Sequence, residues 1–375
     1  MATRNQADEF TGSWGINCSC TCTGLVETVK RLAATPYRPM LQSTHFFAYA
    51  FQSGDTLRTN SQLALAQVVV DNLRRFGRIF FMGCGATPTP SNATILPCAR
   101  HLEVRASCFS LHTERIRLAM LQVAAARGIA DAIFVELDQL WLSDPRVLFA
   151  GAIKQGAQVG VKCIASAQAE RNRALAINVS RSRALQRELP ETLNSGVLYT
   201  QTGYRTRAFW LRVINKTEEL LNYSGMNQSC VGGENQMAMM SLLMETGRGV
   251  KFGPNSVRVH PGKSNLKVHV GHYYIHVREP WLARKDTRGR DIMASSINKS
   301  GTGTPCLSTL LLDNVTRWGK RFGSAQPPRF LHYKGWHTCP SPAAARNSFM
   351  STAACIQAAA ASTDILDSAS TCSSP

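Results

Sequence analysis

Glu136 and Asp138 stand two residues apart, where an apolar run, AIFVEL, gives way to DQLWLSDP. If that run is a strand, its alternation turns both carboxylates toward one side. In an open α/β sheet the carboxyl ends of the strands open onto the ligand crevice. Two hard oxygen donors there suit Mg2+ or Mn2+, which would carry a phosphate-bearing substrate on its remaining positions. The spacing alone also fits two ordinary charges at an exposed strand end.

Other groupings carry less. Cys18, Cys20 and Cys22 have no partner His or further Cys close by in sequence, so a zinc site is not expected there. His269, His272 and His276 lie in KVHVGHYYIHV, which alternates like a strand. Gly83-Cys84-Gly85 lacks the third glycine of a dinucleotide turn. The chain contains no G-x-S-x-G, H-E-x-x-H or Walker A sequence.

Elements that would position the acid pair can be read around it. HFFAYAFQ (45–52) is a strand closed by Ser53-Gly54-Asp55. Asn60 is placed to cap a helix through QLALAQVVVDNLRRFG, with Leu63, Leu65, Val68, Val69 and Leu73 as its apolar face and Gly77 as its stop. RIFFM (78–82) is a strand, and 102–108 reads as another. Thr113 is placed to cap ERIRLAMLQVAAARG, which Gly128 ends, and AIFVEL follows. This strand–helix alternation predicts an α/β fold with a mostly parallel sheet flanked by helices. Beyond it, strands are expected at 159–163 and 196–200, and helices at 204–221 and 235–245. Short strands are expected at 249–252, 257–260 and 267–277, forming a smaller mixed sheet, with a last strand at 329–333. Residues 1–40 read as a leader or stem, 41–340 as the catalytic-type domain, and 341–375 as an Ala/Ser-rich tail.

The order of several segments resembles the GT-A nucleotide-diphospho-sugar transferases, most nearly their plant and algal type. Glu136-Leu137-Asp138 stands where that family has an aspartate-x-aspartate motif, and Trp141-Leu142 and Asp144-Pro145 follow in register. Leu193-Asn194-Ser195-Gly196-Val197-Leu198-Tyr199 matches the family's Asn-(Ser/Thr)-Gly turn before a strand, with a helix bearing Phe209, Trp210 and Leu211 after it. Gly233-Glu234-Asn235-Gln236 loosely matches an Asp-Gln helix start. Phe330-Leu331-His332-Tyr333-Lys334-Gly335 matches a late His-aromatic-x-Gly segment. The departures are Glu136 for the first aspartate, the displaced acid before Gln236, and the absence of a later Lys-Pro-Trp.

The resemblance implies a GT-A-like, Rossmann-like fold and a glycosyltransferase that uses a nucleotide-diphospho-sugar donor and Mn2+ or Mg2+. Asp138 and His332 would hold the metal, with Glu136 beside it or beside the ribose. Arg115 and Arg117 would reach the nucleotide or its phosphates, although a solvated helix face explains them as well. Gly335 would bring backbone to the diphosphate, and Lys334 would replace the missing lysine. Asn194 and Gln236, with Asp138, would orient the sugar or acceptor. Retention of configuration is expected, so no protein base is assigned. Trp141 reads as a core anchor. The acceptor would be a glycan, glycoprotein or polysaccharide. A catalytically degenerate glycan- or nucleotide-sugar-binding protein is the runner-up, and a basic polyanion-binding protein stands third.

Composition limits the setting. The chain has 375 residues and a formal net charge of +18, which favours anionic partners without choosing among them. No homeodomain, zinc-finger or RNP signature is present, so nucleic acid is not the expected partner. The 12 cysteines are compatible with disulfides. Eight of the 17 asparagines begin an N-x-S/T sequon (17, 92, 178, 215, 222, 227, 298 and 314), an excess that points to a secreted or lumenal life; the Golgi is the expected compartment. The first twenty residues have no apolar signal-like core, and no run of roughly 18 apolar residues occurs, so neither a signal peptide nor a membrane anchor is visible in the sequence.

Overall fold

The computed structural model describes residues 44–52, 56–85, 89–103, 106–164, 192–223, 234–245, 256–260, 266–271, 276–277 and 329–332, together with short helical pieces between 349 and 361. Chain contacts separate two units. One spans Tyr37–Leu137 and Asp144–Tyr274, and the other includes Asp138–Ser143 and Ile275–Pro375.

The larger unit is built on one eight-stranded sheet in the order β3-β2-β1-β4-β7-β6-β9-β8. Its first strands are β1 (Thr44–Phe51), β2 (Ile79–Cys84), β3 (Thr94–Leu96) and β4 (Asp131–Val135). These four run parallel, β1 pairing with both β2 and β4. The sequences of β1, β2 and β4 are near-continuous apolar runs because both faces are covered; every residue of β1 except His45 is buried. Phe47 stacks on Phe80 of β2 at 5.0 Å. The rest of the sheet is mixed. β7 (Thr192–Gln201) lies antiparallel to β4 and to β6 (Val159–Ile164), β9 (Leu266–Gly271) is parallel to β6, and β8 (Ser256–His260) is antiparallel to β9.

Helices α1 (Thr56–Arg74) and α2 (Phe109–Ala126) make the crossovers between the parallel strands. α1 begins a turn before Asn60, the expected cap. α2 begins at Phe109, before Thr113: Ser110, His112, Thr113 and Ile116 are all buried, so the buried face reaches back through the first turn, with Cys108 in the extended cap position. Gly128 ends this helix as expected, at φ +70, a left-handed conformation that costs glycine little. The described residues within 102–108 form no long strand. A short 3-10 turn, Arg100–Leu102, closes there instead, and the neighbouring strand is β3. A disulfide joins Cys84, at the carboxyl end of β2, to Cys98.

α3 (Arg146–Lys154) was not anticipated from the sequence. Its start is fixed by Asp144, whose Oδ1 accepts the Arg146 backbone N–H at 2.9 Å and whose carboxylate pairs with the Arg146 guanidinium at 2.6 Å. Arg146 also donates to the Phe76 carbonyl at 2.6 Å, tying α3 to the turn before β2. α4 (Tyr204–Tyr223) packs on α2 and on α5 (Glu234–Glu245), with Trp210 and Val213 in the core.

The smaller unit contains a three-stranded sheet, β10 (His276–Val277), β11 (Phe330–His332) and β5 (Gln139–Trp141), in the order β10-β11-β5. Trp141 is the expected anchor. It is wholly buried and stacks on Phe330 at 4.5 Å. Helical residues in the last part of the chain bury Phe349, Ala353 and Ile356, an i, i+4, i+7 stripe inside the Ala-rich segment. No helix among the described residues is long and apolar enough to cross a membrane. Residues 1–43, the stretch 249–252, and Lys334 and Gly335 lie outside the described residues.

Candidate functional site

The Asn-Ser-Gly segment is not a turn ahead of a strand. It is an irregularity inside one. β7 pairs Leu198 with Val161 but Asn194 with Lys162, so Ser195, Gly196 and Val197 are extra residues on the β7 side. Such a bulge bends a strand and re-aims its backbone. On its other edge β7 keeps regular pairing with β4, Val197 opposite Val135. The bulge therefore lies next to the carboxyl end of β4, where Glu136 leaves the sheet.

Beneath the bulge is a fully buried polar network. Arg117 is 1% exposed and Glu114 0%, and the two pair one helical turn apart on α2, Nη1 to Oε1 at 2.7 Å. Arg117 Nη2 donates to the Ser195 carbonyl at 2.7 Å. The same Glu114 oxygen accepts Asn235 Nδ2 at 2.6 Å, and Asn235 Nδ2 also lies 3.2 Å from Ser195 Oγ. Three segments far apart in sequence (the start of α2, the β7 bulge and the start of α5) are thus joined by charge-assisted bonds in a water-poor setting, where such bonds are strong and costly to leave half made.

The electrostatics favour the charged pair. The Arg117 guanidinium lies 5.5 Å from the Tyr49 ring and 5.9 Å from that of Phe134. Burial works against its charge, but the Glu114 and Glu136 carboxylates oppose burial, and the guanidinium is held protonated more firmly than usual. Burial, aided by Glu136 and Glu114, keeps the Tyr49 hydroxyl neutral well beyond its ordinary range. Glu136 is half-buried and within the field of both groups.

The remaining sequence-predicted residues fall in separate places. Arg115 is exposed and pairs with Glu218 of α4 at 2.6 Å, outside the Arg117 network. Gln236 is half-buried on the first turn of α5, next to Asn235. Asn194 is a backbone member of β7 at the bulge. Asp138, half-buried, precedes β5, and the backbone of β5 pairs Gln139 with His332 of β11. Asp138 lies in the turn one residue ahead of the residue that pairs with His332; a carboxylate and an imidazole are ligand types suited to a divalent cation such as Mn2+. Among the described residues no group of three or more His, Cys, Asp or Glu side chains is gathered as a metal site.

Known proteins place the chain only distantly. No family model and no curated protein matches it. Among solved structures it is similar to mouse xyloside xylosyltransferase 1 in its apo form, at 15% identity over 52% of this chain and 81% of that one, with a TM-score of 0.36. It is also similar to an active-site mutant of LgtC, at 11% identity over 83% of this chain and 95% of that one, with a TM-score of 0.41. At this distance neither likeness assigns the chain anything that its own strands and helices do not display.

Glu114, Asn235 and Tyr49 belong to the site although sequence reading did not assign them. Glu114 and Arg117 do stand three apart in HTERIR, the spacing of an i, i+3 pair. On an amphipathic helix that spacing reads as a solvated pair. Only the burial of that face shows otherwise.

Proposed function

We propose that this chain is a metal-dependent glycosyltransferase that moves a sugar from a nucleotide-diphospho-sugar to a glycan or glycoprotein acceptor with retention of configuration. The observation that carries this reading is the buried Arg117–Glu114 pair. It joins, beside the carboxyl end of β4, two of the segments that resemble GT-A enzymes, the Asn-Ser-Gly bulge and the start of α5. Ligands of α/β sheets bind at that edge.

The residues divide the work as follows. Asp138 and His332 would hold a divalent cation, with Glu136 beside it or beside the ribose. When bound, the cation would supply Lewis-acid stabilisation of the charge that grows on the departing diphosphate. Lys334 and the backbone at Gly335 would meet the same phosphates. Asn194 and Gln236 would orient the sugar and the acceptor hydroxyl. The bond from the anomeric carbon to the diphosphate breaks as the acceptor oxygen forms its new bond to that carbon, and the acceptor proton leaves with the diphosphate. Arg117 holds the bulge that presents Asn194 rather than touching the donor itself, because its guanidinium is enclosed. The working compartment under this reading is the Golgi lumen.

The test is hydrolysis of a panel of nucleotide sugars with Mn2+, with Mg2+ and with chelator, comparing wild type and Asp138→Asn. Metal-dependent turnover that disappears in a variant with an unchanged unfolding midpoint supports the reading. Wild type and variant equally inert on every donor, with no Mn2+-dependent thermal stabilisation by any nucleotide, rejects it.

A further inference from the structure

The opposite edge of the same sheet carries a second basic feature. A cavity of about 290 Å³ opens at the amino ends of β1, β2 and β4, lined by His45, Arg78, Phe80, Arg127 and the loop Gly128–Ala130. β4 has five residues. At roughly 3.3 Å per residue, this cavity is about 17 Å from the edge where Glu136 emerges.

Two arginines face it without a carboxylate partner among the described residues. Arg78 is held in place by its Nε–H bond to Thr94 Oγ1 at 3.1 Å and by the Phe80 ring, 5.0 Å from its guanidinium carbon. His45 meets the same Phe80 ring edge-on at 5.5 Å. Arg127 follows the last turn of α2 and is exposed. The neighbouring acceptors are occupied elsewhere. The Ile129 carbonyl accepts Thr202 Oγ1, and the Ala130 carbonyl accepts the Thr202 backbone N–H. The nearby acids are engaged too: Asp131 with the Tyr199 hydroxyl at 2.6 Å, and Asp144 with Arg146. The unbalanced positive field is visible at His45, where burial, Arg78 and Arg146 together push the imidazole below its ordinary range.

We propose that this cavity is an anion site in which Arg78 and Arg127 grip a tetrahedral oxyanion group, a phosphate or a sulfate. Guanidinium forks match two oxygens of such a group. The volume, at the lower end of small-ligand sites, suits an oxyanion with a sugar-sized attachment. The group could arrive as the free ion or as an ester on an acidic glycan. The site stands independently of the glycosyl-transfer reading, because none of its residues belongs to the Glu136 edge.

Titration calorimetry at constant ionic strength tests this, with inorganic phosphate and a sulfated disaccharide as probes and chloride as the control anion. The variants are Arg127→Gln, which is fully surface-placed, and Arg78→Gln/Arg127→Gln. Saturable binding to wild type that weakens about tenfold in Arg127→Gln and vanishes in the double variant is the expected result. If the disaccharide binds about tenfold tighter than phosphate, the ligand is a glycan ester. Equal affinities make it the free ion. Binding that is unchanged in the double variant, or no saturable binding to wild type, overturns the proposal.

Discussion

Arg117 donates a 2.7 Å hydrogen bond from Nη2 to the carbonyl oxygen of Ser195, a residue 78 positions later in the chain. The bond matters because of what sits at its two ends. One is a buried charge already paired with Glu114, and the other is a strand bulge whose backbone would otherwise point an unsatisfied acceptor into the core. A single contact thereby serves the stability of the sheet and the placement of the bulge.

Removing one member of the pair should therefore cost more than removing both. Arg117→Met leaves the Glu114 carboxylate buried without its cation, and a loss of about 3–5 kcal/mol is expected. Glu114→Leu combined with Arg117→Met replaces the pair with apolar volume and should recover part of that loss, the Ser195 carbonyl and the Asn235 amide staying without these partners, read from urea midpoints. Under the proposed function, sugar transfer should not return with stability, because the Ser195 carbonyl has lost its donor. A double variant less stable than Arg117→Met alone would show that the pair is not the source of the penalty.

Glu136 tests the one-methylene departure from an aspartate. It is half-buried and feels Arg117 and Tyr49, so its charge is set in the same field that holds the bulge. Under the proposed function, Glu136→Asp keeps the charge and should keep kcat/KM for donor hydrolysis within about tenfold, whereas Glu136→Ala should lose about 100-fold or more. Equal losses in both variants would assign the role to reach rather than to charge.

The sequence made the parallel half of the sheet legible because each strand there is a short apolar run closed by a turn residue. HFFAYAFQ, RIFFM and AIFVEL each become a strand except at their ends, and Gly128 ends its helix; β4 stops at Val135, so a turn at Leu137–Asp138, not strand alternation, separates Glu136 from Asp138. It hid the site for two physical reasons. A bulge exists only relative to a partner strand, so Ser195-Gly196-Val197 looks like a turn until β6 lies beside it. The charges on α2 look solvated until the opposite wall, Tyr49 and Phe134, is in place. β5 escaped notice because three residues are too few to display alternation. α3 escaped because its start signal, Asp144, reads as part of the preceding motif.

Packing beneath the bulged strand gives a prediction that needs no ligand. A Cβ built on Gly160 of β6 would stand 2.8 Å from Phe149 Cδ1 and 3.4 Å from Tyr199 Cβ. Both neighbours are buried rings, on α3 and β7. Gly160→Ala should thus destabilise the fold by about 1–3 kcal/mol through overpacking. Adding Phe149→Leu should return part of that loss. A single variant with an unchanged denaturant midpoint would mean that the Phe149 ring turns aside freely.

Acid should weaken the fold through its buried histidines. Burial pushes His112 below its ordinary range. The Leu102 carbonyl, which accepts from its Nε2 at 3.1 Å, opposes that, while Arg115 and His101 add to the lowering. His45 is lowered in the same direction. The unfolded chain therefore takes up these protons first as pH falls through about 6.5. The contribution to stability is fully present above that pH and is lost progressively below it, toward the lowered folded values. Urea midpoints measured from about pH 7.5 down to about pH 5 should fall, and the slope should flatten in His112→Gln. An unchanged slope in that variant would assign the acid sensitivity to other groups, His45 first among them.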